Sequence, residues 1–317
     1  MDTIAFLRHP REMAGLGNTR RKIAALAAVA LIVVGCGGDT TESVSTLPVD
    51  PAAPARLGLV SVGEGDETIV LTPVPDVGAE WTATMEMRQT ITFDGQGAEV
   101  PTTVMTMHNA VLEVDADGFV MRSEVLDVEL AEDGDLPPFE RAALRKQLRD
   151  MIGSLTTTRL DSYGVVVDAS IEWPDSLADT TGVSAEQMEQ AAENMTTTVP
   201  RVPLSIGATW TDTIVDDSFG PATTTVTTYR LVDIDGTRYT LDVDIAMEMS
   251  GEVVEAGTTI RMEGLLTGSG TTTADTTGGL ETSGSSEIEG TIDMTAQGES
   301  LEMGMRMEMR MQPEGDG

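Results

Sequence analysis

From about residue 58 the chain alternates apolar and polar residues in runs broken by turn formers, the period-two signature of half-buried β-strands. The most regular run is MGMRMEMRM, Met303 to Met311, with Arg306, Glu308 and Arg310 between the methionines. In LVDIDGTRYTLDVDI, from Leu231, two alternating runs flank Asp235-Gly236, a strong hairpin signal. Asp117-Gly118 holds the same place in VLEVDADGFVMRSEVLDVEL, from Val111. These Asp-rich turns lack the ligand count and distal glutamate of a calcium loop, so they read as turns.

Two stretches change to the helical period. PPFERAALRKQLRDMIGSL follows paired prolines and puts Leu144, Leu148, Met151, Ile152 and Leu155 on one face, with Arg141, Arg145, Lys146 and Arg149 on the others. VSAEQMEQAAENM begins with Ser184 as N-cap and Gln187 completing a capping box.

The strand pattern repeats. VGAEWTAT, Val77 to Thr84, matches IGATWTDT, Ile206 to Thr213, and each follows a proline, Pro75 or Pro203. The two hairpin segments come next, and then LTTTRLDSYGVVVDAS from Leu155 matches SGTTTADTTGGLETSG from Ser269. Three elements recurring in one order predict a duplicated β-meander. The expected fold is α+β: a large curved antiparallel β-sheet, a half-barrel of two pseudo-repeats at about 75–171 and 203–311. Two short helices, around 138–154 and 184–195, are expected on its concave side. Gly78 and Gly207 would give tight access to the first strand of each half, and Trp81 and Trp210 would occupy equivalent half-buried positions. The domain is expected over 58–311, with a disordered tail at 312–317.

The N-terminal part has a different organisation. NTRRKIAALAAVALIVVGCGGD sets Arg20, Arg21 and Lys22 before an apolar run from Ile23 to Val34 that is short for a permanent span. Residues 1–35 therefore read as a signal peptide, with Met13 a better start than Met1 because MDTIAFLRHPRE adds acid and proline ahead of the basic region. The paired arginines of TRRKI are also compatible with twin-arginine export. Cys36 is the single cysteine of the chain, and VVGC resembles the lipobox of bacterial lipoproteins, which implies a lipidated Cys36. GGDTTESVSTLPVDPAAPARL then reads as a tether over 36–57, spanning about 25 Å as a flexible coil. The expected location is the cell envelope, on the extracytoplasmic side of a bacterial membrane, with the membrane itself as a partner through Cys36.

Composition narrows the chemistry. Residues 1–35 hold five of the 19 basic residues and two of the 53 acidic ones, so the remainder carries 14 against 51, a balance of −37. Such a surface repels nucleic acid. Past residue 35 one histidine remains, His108, with no G-x-S-x-G elbow, no zinc-ligand cluster and no phosphate-cradling loop followed by Lys-Ser/Thr. No catalytic residue, metal set or cofactor is assigned, and a non-enzymatic role is expected.

Methionine is the unusual inventory, 19 against only 3% aromatics. The M-x-M pairs Met85/Met87, Met105/Met107 and Met247/Met249, with Met303, Met305, Met307 and Met309, stand where other strands carry Val, Leu or Ile. They read as inward-facing strand positions that line an apolar surface, since methionine adapts to varied apolar partners. Copper binding through thioethers is the alternative chemistry of the same residues. The first helix is the candidate gate, with Leu144, Leu148 and Ile152 closing the apolar surface and its basic face meeting anionic head groups.

PLSIGATW, with YRLVDIDGTRYTLDVDI and GSGTTTADTTGGLETSGSSEIEG, resembles uncharacterised secreted bacterial lipoproteins, many of them actinobacterial, that carry P-x-x-x-G-x-x-W before a β-meander. More remotely, long strands with intervening helices behind a lipobox resemble the half-barrel of periplasmic lipoprotein carriers and glycolipid-carrying lipoproteins. The family implies no activity and the remoter likeness is one of architecture; the expectation of an anchored, non-enzymatic protein that binds an amphiphile, a lipid or another envelope protein rests on the anchor and the methionine-lined sheet. A structural or assembly lipoprotein with a filled core is the alternative.

Overall fold

The computed structural model describes residues 54–71, 75–174, 198–216, 221–255, 258–276 and 283–314. Cys36, the expected signal, most of the expected tether and the expected helix at 184–195 lie outside them; the ordered chain runs past both expected ends, since Arg56 is ion-paired to Asp212, Leu57 opens a strand, and Gln312 and Pro313 of the expected tail are paired with Thr84 and Ala83. The alternating runs form β1 (Leu57–Ser61), β2 (Glu80–Phe93), β3 (Gln96–Val114), β4 (Gly118–Leu130), β5 (Leu155–Asp161), β6 (Val166–Glu172), β7 (Thr209–Asp216), β8 (Ala222–Asp235), β9 (Arg238–Glu255), β10 (Thr258–Asp275), β11 (Ser283–Ala296) and β12 (Glu299–Pro313), with α1 (Pro138–Arg149) between β4 and β5. All twelve strands belong to one open antiparallel sheet, in the order β1-β7-β8-β9-β10-β11-β12-β2-β3-β4-β5-β6.

Tight turns set the local registers. Asp94-Gly95 between β2 and β3, and Gln297-Gly298 between β11 and β12, place two successive residues at positive φ, the turn whose twist matches paired strands. At Asp117-Gly118 the Asp115 carboxylate accepts the N–H groups of Asp117 and Gly118 at 2.9 and 3.0 Å. Asp115 also meets Arg159 at 2.5 Å, and that hydrogen bond is the main reason its carboxyl is held below the ordinary range.

The segments read as repeats share backbone geometry. Gly78 donates to Val111 O and Val111 to Ala79 O, both at 2.9 Å; Gly207 donates to Leu231 O at 2.8 Å and Leu231 to Ala208 O at 2.9 Å. Both glycines have positive φ, 79° and 86°. The register shifts just after each anchor, between Val111 and Glu113 and between Leu231 and Asp233. Beyond the turns Gly118 faces Asp161 and Arg238 faces Asp275. The tryptophans share backbone position but differ in burial. Trp81 is half-buried opposite Asn109. Trp210 is fully buried, stacked on Tyr229 at 5.3 Å, and its Nε1 donates to Thr198 O at 3.1 Å. The chain at 198–204 covers Trp210, so the expected half-burial holds only for Trp81.

The first helix ends at Arg149, earlier than expected from the apolar spacing. Gly153 takes φ 86°, its N–H donates to Val125 O, and Ser154 O accepts from Val125 N–H, returning the chain to the edge of β4. Met151 and Ile152 thus fall in a turn, and Leu155 opens β5.

Three apolar clusters form the core. One joins Met247, Ile260, Met262, Leu266, Ile288, Ile292, Met294, Leu301, Met303 and Met305, with Ile91 and Phe93 of β2 against it. A second gathers Leu57, Leu59, Leu71, Leu204, Trp210, Tyr229, Leu231 and Leu241 and includes Tyr163 from the β5–β6 turn. A third, of Phe119, Leu160, Val166 and Ala169, lies under β4–β6. Glycines make the first cluster possible. A Cβ on Gly290 would lie 2.1 Å from Leu265 O, and one on Gly264 would lie 2.8 Å from Ile292 Cγ1. Strand glycines of this kind mark close backbone approach.

Candidate apolar strip on strands 3, 2 and 12

Alternation along β12 puts Leu301, Met303, Met305, Met307, Met309 and Met311 on one face. Pairing then decides what each one meets. Met303 faces Phe93 and Ile292, while Met305 faces Ile91 and Gly290. Both belong to the first core cluster, at 0% and 4% exposure. Met247 is equally enclosed at 2%. Of the ten candidate lining residues these three are core, and Met85, Met87, Met105, Met107, Met249, Met307 and Met309 are half-buried.

The boundary is marked by Gln89, whose Nε2 donates to Met305 Sδ at 3.6 Å and which stands opposite Met307. Beyond it the methionines adjoin in rows. Met105 faces Met85, and Met85 faces Met311; in the next row Met87 faces Met309. Small residues continue those rows, Thr103 beside Met87, Ser286 beside Met309 and Gly284 beside Met311. Met107 extends the patch, opposite Ala83 and Val125. The result is a thioether-lined strip across three strands, half open to solvent and continuous with the core at Met307. Alternation gave the face of Met311, but only the pairing made it a neighbour of Met85.

The opposite face is charged. Arg306 bridges Glu287 at 2.7 Å and Glu308 at 3.3 Å, and Arg88 meets Glu86 at 2.8 Å. A cleft of about 290 Å³ opens beside Glu86, Arg88, Ser285, Glu287, Glu308 and Arg310. Its three carboxylates outnumber its two guanidinium groups by one. His108 lies on this face opposite Thr82 and Glu124, with Nε2 3.9 Å from Glu80. Among the described residues no nucleophile or carboxylate lies within hydrogen-bond distance of its ring.

The helix sits apart from the strip. Leu144 and Leu148 are half-buried, Ile152 is 37% exposed, and none of the three joins a core cluster. Three of its four basic residues are answered locally. Arg141 donates to Ala131 O and Gly134 O and pairs with Glu132 at 3.2 Å; Arg145 pairs with Glu132 at 2.6 Å and Lys146 with Asp150 at 2.9 Å. Asp133, in the same connection, accepts from the hydroxyl and N–H of Thr102 at 2.6 and 2.8 Å, and these bonds hold its carboxyl below the usual range. The helix is therefore tied to the connection that precedes it and to β4.

Among the described residues no three His, Cys, Asp or Glu side chains are grouped to hold a metal ion. Also among them, no helix is long and apolar enough to cross a membrane.

Residues 180–280 match a family of unknown function, DUF6263. No curated protein matches the sequence. Among solved structures, an outer membrane channel from Pseudomonas putida F1 aligns at 9% identity and a TM-score of 0.21, over 78% of this chain and 99% of that one. A loop L8 deletion mutant of the Vibrio cholerae outer membrane protein OmpT aligns at 7% identity and 0.21, over 74% of this chain and all of the other. At these TM-scores neither likeness carries an argument about this chain.

Proposed function

We propose that this chain is a non-enzymatic, lipid-anchored protein of the bacterial cell envelope, and that its sheet coils into an open half-barrel holding the apolar chain of an amphiphile on the methionine strip. The observation that carries the reading is the strip itself. Met85, Met87, Met105, Met107, Met309 and Met311 form a contiguous, half-open apolar face whose flexible thioethers suit a ligand of variable shape.

Coiling is supported by the contact between distant parts of the sheet. The β5–β6 turn and β7 are linked through two successive residues, since Val199 N–H donates to Tyr163 O at 3.1 Å and Thr198 O accepts from Trp210. In sheet order β7 and β5 stand nine steps apart, about 43 Å in a flat sheet with strands about 4.8 Å apart. Duplication is supported by the matching glycine turns, bulges and registers. It also accounts for the strand order, in which β1-β7-β8-β9-β10-β11 and β12-β2-β3-β4-β5-β6 are parallel series. Anchoring rests on the signal sequence and Cys36.

The burial of Met247, Met303 and Met305 favours a second reading, a structural lipoprotein with a filled core and no ligand. Titration with cis-parinaric acid separates the two. Met87→Glu with Met309→Glu should lower the affinity of the full chain at least ten-fold, while the two leucine substitutions should preserve it. Equal binding by the wild type and the glutamate variant would leave the filled-core reading standing. For the anchor, Cys36→Ser should abolish palmitate labelling and release the protein from the membrane fraction.

A further inference from the structure

We propose that the corner where β2 meets β12 is a binding site for one soft monovalent cation of the Cu(I) or Ag(I) class, held by the thioethers of Met85, Met87, Met309 and Met311, with Met105 on the flank. M-x-M pairs occur along several strands. Here two of them lie side by side, Met85 opposite Met311 and Met87 opposite Met309. Two other pairs have different neighbours: Met303 and Met305 lie between Ile292/Gly290 and Phe93/Ile91, and Met247 and Met249 between Thr225/Thr223 and Leu266/Gly264.

The geometry suits convergence. Directly opposed residues on antiparallel strands have Cβ atoms about 5 Å apart, and same-face neighbours along a strand are about 6.7 Å apart. The centre of the Met85–Met87–Met309–Met311 rectangle is then roughly 4 Å from each Cβ, by the same spacings. An unbranched side chain with three rotatable bonds can bring its sulfur to a metal above that centre. Met105, opposite Met85 on the other side, offers a further sulfur. Neutral thioethers prefer soft cations to Zn²⁺, Mg²⁺ or Ca²⁺. All five residues are half-buried, so an ion can reach them without unfolding the core, in contrast to Met303 and Met305 at 0% and 4% exposure. A chain carrying 53 Asp and Glu against 19 Lys and Arg also concentrates cations near its surface. Isoleucine or valine would fill an apolar strand position with better β-propensity; sulfur is what methionine adds.

The test is anaerobic titration of the full chain with Cu(I) in competition with a chromophoric Cu(I) chelator, with native mass spectrometry of the Ag(I) adduct. One bound ion is expected. Met85→Leu with Met309→Leu should weaken binding at least ten-fold with an unchanged thermal midpoint, since leucine conserves volume. Met303→Leu with Met305→Leu should leave the affinity as it was. Failure of the wild type to compete with the chelator, or equal affinity in the Met85/Met309 leucine variant, overturns the site. The same leucine variant retains cis-parinaric acid under the amphiphile reading, so the two proposals fail separately.

Discussion

Arg56 is among the first described residues, and it clasps the sheet through a buried carboxylate. Its Nε and Nη2 donate to Asp212 Oδ1 and Oδ2 at 2.6 and 2.8 Å, and the Thr198 N–H adds a third bond to Oδ2 at 3.1 Å. The Asp212 side chain is 1% exposed and that of Arg56 16%. Arg56→Ala removes both charge-assisted bonds and leaves the carboxylate with one N–H. Breaking a buried pair in this way costs about 3–5 kcal/mol, and the partial exposure of Arg56 points to the lower end, about 3 kcal/mol. Asp212→Ala should cost less, about 1–3 kcal/mol, because Arg56 can regain water and the orphaned Thr198 N–H is the main loss. Arg56→Met with Asp212→Leu removes both charges, so it should lie within about 1 kcal/mol of the wild type. Urea unfolding of the four proteins, compared at a common m-value, measures these differences. A loss under about 1 kcal/mol for Arg56→Ala, in the regime of exposed pairs, would refute the idea that the pair holds β1 and residues 198–204 on β7.

Truncation should separate core methionines from strip methionines: Met303→Ala, fully buried, should cost about 3 kcal/mol in urea unfolding, and Met85→Ala, half-buried, about 1 kcal/mol because water refills the space. Burial, with the Asp275 carboxylate adding to it, pushes the Tyr239 phenol from 10.0 up to about 12. The folded state therefore holds that proton more tightly than the unfolded chain, and the associated stability is complete below pH 10 and falls as pH rises towards about 12. Tyr239→Phe should flatten that fall in pH-dependent unfolding and remove a late-titrating component from the phenolate absorbance of the wild type.

Much of the strand inventory was legible because alternation is a local property. The period of Met303–Met311 establishes a strand and its apolar face, and Asp235-Gly236 establishes a hairpin, before any neighbour is known. The glycine turns at Gly78 and Gly207 were legible too, since each demands a backbone conformation that a side chain resists. Helix length was less so: apolar spacing continues through Ile152 and Leu155, whereas Gly153 and the pull of Val125 on Ser154 end the helix at Arg149. Pairing partners were beyond the sequence. Alternation says which way a residue points but not which strand lies beside it, so nothing local could set β12 against β2, more than two hundred residues earlier, or put Met309 opposite Met87. Burial followed the same rule. Met303 and Met309 have the same local pattern, but Met303 lies between Ile292 and Phe93, and Met309 between Ser286 and Met87. Asp212 shares an inward face with Trp210 and Ile214, where the local pattern calls for an apolar residue. The tertiary fold allows a carboxylate there because Arg56, 156 positions away, supplies the charge and hydrogen bonds that water would have given.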